Sequence, residues 1–527
     1  MDFSNILTFA VIIICAFAIF DLIVWVSNDA INFLSPAVGS KAAGYKTVMI
    51  IAGLGLLLGT LFGSGLMEVA RKGIFHPEYF SYSEIVTLFL TVMIGDILLL
   101  NKFNSWGMPT STTVSIVFGL LGAAVGMGVI KVYQSGLGID TLATYINTAK
   151  VLSIVIGILG SVLVAFFLGA LIQYITRIFF TFEYDLKPKY WSSILGAIAI
   201  TAITHFMMVK GLKGSEIPSI VTLRDYISTH TTLFIAFALS FWFLVMQFAL
   251  IFKVNIFKLV VLIGTFSLAM AFAGNDLVNF IGVPIAALSS YDLFQAGWAG
   301  NANTFMMDGL AGKVEVSKLL LLGSWVLMVI TLMTSKKAKR VLNTGLNLSR
   351  QWKNTEEKFH KSFIAEMIVK DSGILIGFFA RHTPMRLAQF VWGRFQSLSE
   401  SKKSDGAFDL VRASVILICS SIILSIATTY KLPLSTTYVT FMVGMGAAFA
   451  DRAWGRESAV ERVNWVIHVI FGWFMTAIGW FFLAFAVANI LYFGGIVGMA
   501  LMVGITCYIM MKPLIPRLKK FGRKDEA

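Results

Sequence analysis

Two short patterns occur twice in this chain, and both set hydroxyl, amide and carboxylate side chains inside apolar sequence. Ser27-Asn28-Asp29-Ala30-Ile31-Asn32-Phe33 recurs as Gly274-Asn275-Asp276-Leu277-Val278-Asn279-Phe280, an offset of 247 residues. Pro109-Thr110-Ser111-Thr112-Thr113 recurs as Pro433-Leu434-Ser435-Thr436-Thr437, an offset of 324. The same order in both halves marks an internal duplication. On a helix, Asn-Asp-x-x-Asn brings three oxygen-bearing side chains within about one turn. An ionised Asp is costly in hydrocarbon and marks function by default. The alternative, an interhelical hydrogen-bond clamp, fits a single copy better than two in matched surroundings. Hard oxygen ligands suit a hard cation such as Na⁺, with protonation of the Asp as the other route. Asp29, Asn32, Asp276 and Asn279 are therefore the expected cation ligands.

The Pro-x-Ser-Thr-Thr pattern lies each time between two apolar stretches. Proline suits the first turn of a helix and hydroxyl residues are good caps, so each copy predicts a helix that starts in mid-membrane, as in a re-entrant hairpin. The free N–H groups and positive dipole end of such a helix attract an anion, and hydroxyls add donors without charge. Two of them facing each other make a cage for a compact tetrahedral oxyanion. Ser111, Thr112, Thr113, Ser435, Thr436 and Thr437, with Asn28 and Asn275 beside them, are the expected anion ligands. Asp96, in the apolar run Val92–Leu100 and thirteen residues before Pro109, has Ser420 as its counterpart. It is either an extra cation or proton site or half of a local pair, with Lys102 as the natural partner.

Helices of the membrane must position these residues. The chain has 527 residues, 57% hydrophobic and 13% charged, with a mean hydropathy of +0.81, whereas soluble domains carry about 25% charged residues. This excludes a soluble multidomain protein, a disordered chain and a disulfide scaffold. A span needs about 20 apolar residues, and candidates lie at 5–27, 43–66, 84–103, 112–134, 150–175, 190–212, 228–252, 254–273, 317–334, 409–430, 433–450, 464–485 and 486–511. The run Ile6–Val26 lacks a basic leader and a cleavage site, and reads as a first span. Cys15, Cys419 and Cys507 sit in apolar runs as lipid-facing or core residues.

The net charge of +14 is concentrated in two places: Lys336–Lys403 has 14 Lys and Arg against 5 Asp and Glu, and Lys512–Ala527 has 6 against 2. Basic flanks stay on the cytoplasmic side, so both stretches are expected there, and nucleic acid is not an expected partner. The chain then divides into a first transmembrane repeat (1–215), the start of a second (216–335), a basic cytoplasmic insert (336–408) in which Gln351–Ile368 forms an amphipathic helix, the remainder of the second repeat (409–511) and a basic tail (512–527). The two offsets differ by 77 residues, which the insert accounts for.

With these motifs in order, the chain resembles the inorganic phosphate transporter (PiT) family, whose repeats carry Gly-x-Asn-Asp-x-x-Asn and then Pro-x-Ser-Thr-Thr-His. Val38-Gly39-Ser40, Ala427–Leu432 and Trp473-x-x-Thr476 add to the likeness, which covers everything but the insert. The resemblance implies an all-α membrane protein with about 12 transmembrane segments, built as two inverted repeats with discontinuous helices and re-entrant hairpins. It also implies import of inorganic phosphate by cotransport with Na⁺ or H⁺ across the inner or plasma membrane, with no other cofactor; a homodimer is an allowed assembly. Four places depart from the family: Ser27 replaces Gly, Val114 and Tyr438 stand where His follows the hairpin motif, and Ile50–Thr60 lacks an expected Glu.

Other readings are weaker. Sulfate or arsenate would suit the same donors. A membrane-embedded phosphatase or head-group transferase needs a nucleophile with a base, or a metal cluster, and no His lies near Ser111 or Ser435 in sequence. No His pair has metal-ligand spacing. An anion channel would be opposed by buried Asp residues. Gly53-x-Gly55 and Gly63-x-Gly65 predict close helix packing, and without a Walker-type Gly-Lys-Ser/Thr the chain is no ATP-driven pump by itself.

Overall fold

A computed structural model describes residues 3–62, 67–106, 110–136, 138–182, 189–208, 218–297, 301–312, 316–335, 384–395, 406–451 and 456–512, with scattered positions between 338 and 382. The expected amphipathic helix at 351–368 and the tail beyond 512 fall outside these residues almost entirely.

Among the described residues the chain is helical. The helices are α1 (Phe3–Asp29), α2 (Ile31–Gly39), α3 (Tyr45–Phe62), α4 (Tyr82–Trp106), α5 (Thr112–Ser135), α6 (Leu142–Tyr145), α7 (Thr148–Phe179) and α8 (Lys189–Phe206). They continue as α9 (Pro218–Thr229), α10 (Thr231–Ile251), α11 (Ile256–Gly297), α12 (Lys318–Thr334), α13 (Met385–Arg394), α14 (Leu410–Thr429), α15 (Thr436–Ala450) and α16 (Arg456–Met511). Among the described residues nine helices, α1 and α2 counting as one, are long and apolar enough to cross a membrane, and three more are shorter apolar helices. The protein is thus a multi-pass membrane protein.

Several span boundaries differ from the expected ones. The eighth span does not end at 273: α11 runs on for 42 residues through Asn275, Asp276 and Asn279. The first-repeat counterpart likewise runs on past its motif: Ala30, between α1 and α2, keeps helical dihedrals (φ −55°, ψ −26°), donates to Val26 O and accepts from Leu34 N, each at 3.1 Å. The last two spans are continuous across 485–486, and the break falls at Gly495, whose backbone is left-handed with φ 51°.

Glycine sets the closest helix contacts. A Cβ on Gly55 would lie 2.3 Å from the Phe266 carbonyl oxygen, and one on Gly59 would lie 2.2 Å from that of Met270. The Gly55 half of the sequence expectation is therefore met, while Gly63 and Gly65 lie outside the described residues. These two contacts advance together along both helices, so α3 runs parallel to α11. Because α3 follows α2 through a short turn, α1 and α2 run antiparallel to α11.

Helices α4 and α5 form one hairpin, and α14 and α15 a second. The mouth of the first packs on the far end of α11: Tyr82 N donates to Phe305 O at 2.8 Å, Ser83 N to Ala302 O at 3.1 Å, and the Tyr82 ring stacks on Phe294 at 4.3 Å. The mouth of the second packs on the end of α2, where Ala407 N donates to Gly39 O at 2.7 Å. The hairpins therefore open from opposite ends of the bundle. Each mouth is held by ions. In the first, Lys131 Nζ reaches both oxygens of Glu84 at 3.0 and 2.9 Å. In the second, Arg177 of α7 bonds Asp409 at 2.8 Å and Asp451 at 2.9 Å, and Arg412 joins Asp451 at 2.9 Å. All four residues of that network are buried.

Candidate functional site

The two hairpin tips meet the two Asn-Asp motifs at one buried locus. Each tip starts a helix in the expected way. Ser111 has extended backbone and accepts from Val114 N at 3.4 Å, and Ser435 accepts from Tyr438 N at 3.1 Å. A hydroxyl at this position satisfies one of the unpaired amides of the first turn. Pro109 lies outside the described residues.

The threonines that follow the caps turn toward the aspartates. Thr112 Oγ1 donates to Asp29 Oδ2 at 3.2 Å or to Asp276 Oδ1 at 3.3 Å, and Thr113 Oγ1 reaches Asp276 Oδ1 at 3.1 Å. From the second tip, Thr436 donates to Asp276, and Thr437 Oγ1 reaches Asp29 Oδ1 at 3.5 Å. Both carboxylates are buried, Asp29 2% and Asp276 1% exposed. Each aspartate thus contacts both hairpins.

The asparagines cross between the repeats. Asn32 Nδ2 donates to Thr437 Oγ1 at 3.0 Å, and its counterpart Asn279 donates to Thr113 Oγ1 at 2.9 Å. Each asparagine therefore reaches the hairpin of the other half, at matched positions. Asn279 also supports its own Asp276 at 2.9 Å, and Asn32 Oδ1 accepts from Thr440 at 3.1 Å. The upstream asparagines are not equivalent. Asn275 holds the second tip through Leu434, whose N–H donates to Asn275 Oδ1 at 3.1 Å while Asn275 returns an N–H to the Leu434 carbonyl. Asn28 is half-buried and bonds its neighbour Asp29 at 3.3 Å. The hydroxyl of Thr110, which stands where Leu434 stands in the second half, is buried without a partner.

The structure thus brings together twelve of the thirteen singled-out residues. Two carboxylates, three amides and the threonine hydroxyls form one polar centre in an apolar bundle, with Ser111 and Ser435 capping the helices that carry it and Asn28 at its edge. Asp96 lies apart. Its two oxygens accept from Trp25 Nε1 at 2.7 Å and Trp480 Nε1 at 2.8 Å; the side chain of Lys102, the partner named from the sequence, lies outside the described residues. One indole comes from α1 and the other from α16. Sequence reading missed Asp21, whose carboxylate faces that of Asp96. The signal that could have found it is the same as for Asp96, an Asp inside an apolar span.

Two residues at departures from the family pattern also take part. Tyr438 stacks on Trp473 with centroids 3.7 Å apart, which seats the second tip on α16. Ser27 Oγ bonds Ser335 Oγ at 2.9 Å, joining the end of α1 to the end of α12. Among the described residues no group of three or more His, Cys, Asp and Glu is placed to hold a metal ion.

The sequence profile of the phosphate transporter family matches residues 26–379. The chain is 30% identical over 287 residues to a proposed phosphate permease of Pyrococcus abyssi and 31% identical over 282 residues to one of Pyrococcus horikoshii. Each match covers 52% of this chain and spans 65% and 64% of the respective relative, just under two thirds of its length. A solved sodium-dependent phosphate transporter superposes with a TM-score of 0.59 at 18% identity, over 92% of this chain and 99% of that one. At that identity the likeness is one of fold.

Proposed function

The chain belongs to the phosphate transporter family, and from that premise we propose that it imports inorganic phosphate across the inner or plasma membrane by cotransport with Na⁺, or with H⁺ in its place. The observation that carries this reading is the crossed arrangement in which Asp29 and Asp276 each contact both hairpin tips. An anion between the starts of α5 and α15 meets hydroxyl donors and two positive helix ends. It also meets two carboxylates, which repel it unless cations accompany it. Taking a multiply charged anion out of water costs tens of kcal/mol in the unrelaxed limit, so the aspartates fit a mechanism in which the cation enters first and the anion follows.

In this reading Ser111, Thr112, Thr113, Ser435, Thr436 and Thr437 hold the anion, together with Asn28 and Asn275. Asp29, Asn32, Asp276 and Asn279 hold the cation. Phosphate is favoured over sulfate because a protonated phosphate donates to a carboxylate and fully ionised sulfate cannot. The antiparallel course of α1 and α11 and the hairpins that open at opposite ends support a plan of two repeats in inverted orientation. Such a plan suits alternating access about a fixed midplane site.

Radiolabelled phosphate uptake into proteoliposomes tests the reading, with Na⁺ and H⁺ gradients imposed separately and sulfate as competitor. Uptake should require one of the two gradients and resist sulfate. Uptake that persists without any cation gradient would make the protein a channel.

A further inference from the structure

A second pair of carboxylates lies in the bundle, and it is unlike the first. Asp21 of α1 and Asp96 of α4 face each other, and both are 0% exposed. The oxygens of Asp96 are occupied by indole N–H donors from Trp25 and Trp480 at 2.7 and 2.8 Å, and the two rings lie 6.4 Å apart. The oxygens of Asp21 are buried and accept no bond from any N–H or O–H. The groups that engage the pair are Trp25, Ser115 of α5 and Trp480, all neutral. Among the described residues no ion pair involves either aspartate.

Two ionised carboxylates in contact, out of water and without a cation, are far less stable than a pair that shares one proton. The donors decide which oxygen is charged. Two indoles and the Ser115 hydroxyl stabilise negative charge on Asp96, whereas Asp21 has only the Trp25 indole beside it, whose N–H is already donated to Asp96. A metal cation is the poorer occupant, because hard ions of the Ca²⁺ or Mg²⁺ kind gather about six oxygens or more. Here a cation would find at most the four carboxylate oxygens, two of them already accepting an indole N–H, and one hydroxyl, Ser115 Oγ, itself donating to Thr112 O at 2.8 Å.

We propose that Asp21 and Asp96 form a proton site distinct from the hairpin-tip centre, with the proton on Asp21 donated to the carboxylate of Asp96. The site belongs to the first half alone: the matched positions in the second half are Leu268 and Ser420. It is linked to the tips along two elements. Asp21, Trp25 and Asp29 follow one another at intervals of four on a single stripe of α1, which places Asp21 about 12 Å from Asp29 at 1.5 Å per residue. Ser115 lies one turn from Thr112 on α5. Loss of the proton sets two like charges between α1 and α4 and loosens the arm that carries the first tip, so occupancy of the site governs how firmly that tip is held.

Difference infrared spectroscopy on the purified chain, without phosphate, tests the assignment independently of what the protein transports. The spectrum of the unsubstituted protein minus that of Asp21→Asn should contain the C=O stretch of a protonated carboxyl at neutral pH, moved by exchange into D₂O. Asp96→Asn, which keeps Asp21 but removes its acceptor, should retain that band at a changed frequency. Both variants keep side-chain shape, and either result alone bears on the claim. A difference spectrum without the band, a band that Asp96→Asn leaves unmoved, or a band that added Na⁺ abolishes would overturn the proposal, the last in favour of a metal-cation site.

Discussion

Asp29 and Asp276 are buried carboxylates whose donors are mostly hydroxyls and amides of the opposite elements. Asp29→Asn and Asp276→Asn keep the shape and remove the charge. Each is expected to abolish cation-dependent uptake while the protein remains folded, judged by gel filtration in detergent, and cation dependence like that of the parent in both would remove their assigned role. The hydroxyls divide into two classes. Thr112, Thr113, Thr436 and Thr437 reach the aspartates directly, and a hydrogen bond to a charged group contributes about 1.5–3 kcal/mol. Their Ala variants should weaken phosphate binding roughly ten- to a hundredfold. Ser111 and Ser435 cap helices, so Ser111→Ala and Ser435→Ala should in addition lower stability by about 1 kcal/mol. Equal thermal melting of the Ser and Thr variants would erase that distinction. At this scale the tip centre was legible because its residue types recur in order. The pairing of Asp96 was not, since its partners lie 71 and 384 residues away and indole donors have no sequence signature.

The same limit appears in the elements. The hairpins could be read from a proline and hydroxyls between apolar runs, but the continuity of α11 could not. A run of apolar residues interrupted by Gly274-Asn275-Asp276 looks like the end of a span, and only packing against α3 and α14 keeps it helical. The break in α16 was placed ten residues early because the signal, Gly494-Gly495, lies inside an unbroken apolar stretch. Of the small residues at helix crossings, Gly55 was interpretable from its Gly-x-Gly run, whereas Gly446 and Gly122 come from the structure alone. Gly446 of α15 faces the Phe166 carbonyl of α7, where a Cβ would lie 2.1 Å away, and Gly122 of α5 faces that of Phe481 at 2.2 Å. A methyl at either place must push two backbones apart. Gly446→Ala and Gly122→Ala should each lower the unfolding free energy by about 1–3 kcal/mol. A melting temperature within error of the parent would show that the contacts are looser than described.

Across the whole molecule, charge fixes orientation and ties distant segments together. The insert at 336–408 and the C-terminus should both face the cytoplasm, because they carry most of the positive excess and because a hairpin followed by a helix that folds back at Gly495 returns the chain to the side it left. An impermeant thiol reagent, applied to intact cells with single cysteines at Ser362 and Gly522, should label neither. A tether of another kind joins the second hairpin to the segment after α3, where Lys431 bonds Glu68. That hydrogen bond holds the Glu68 carboxyl below its ordinary value. Its contribution is therefore whole above the usual glutamate range near about 4.3 and disappears as pH falls through the lower value of the folded state. Parent and Glu68→Gln proteins should differ in melting temperature at neutral pH and converge in acid; a constant difference would assign the effect to something other than ionisation. The buried network at the second mouth adds an order in time. Arg177 leaves the ribosome early, whereas Asp409 and Asp451 follow 232 and 274 residues later, so during synthesis a guanidinium destined for a dry interior has no counter-ion. The nascent first half must keep that arginine at the lipid headgroups until the second hairpin arrives, and a chain cut short before 409 leaves it there.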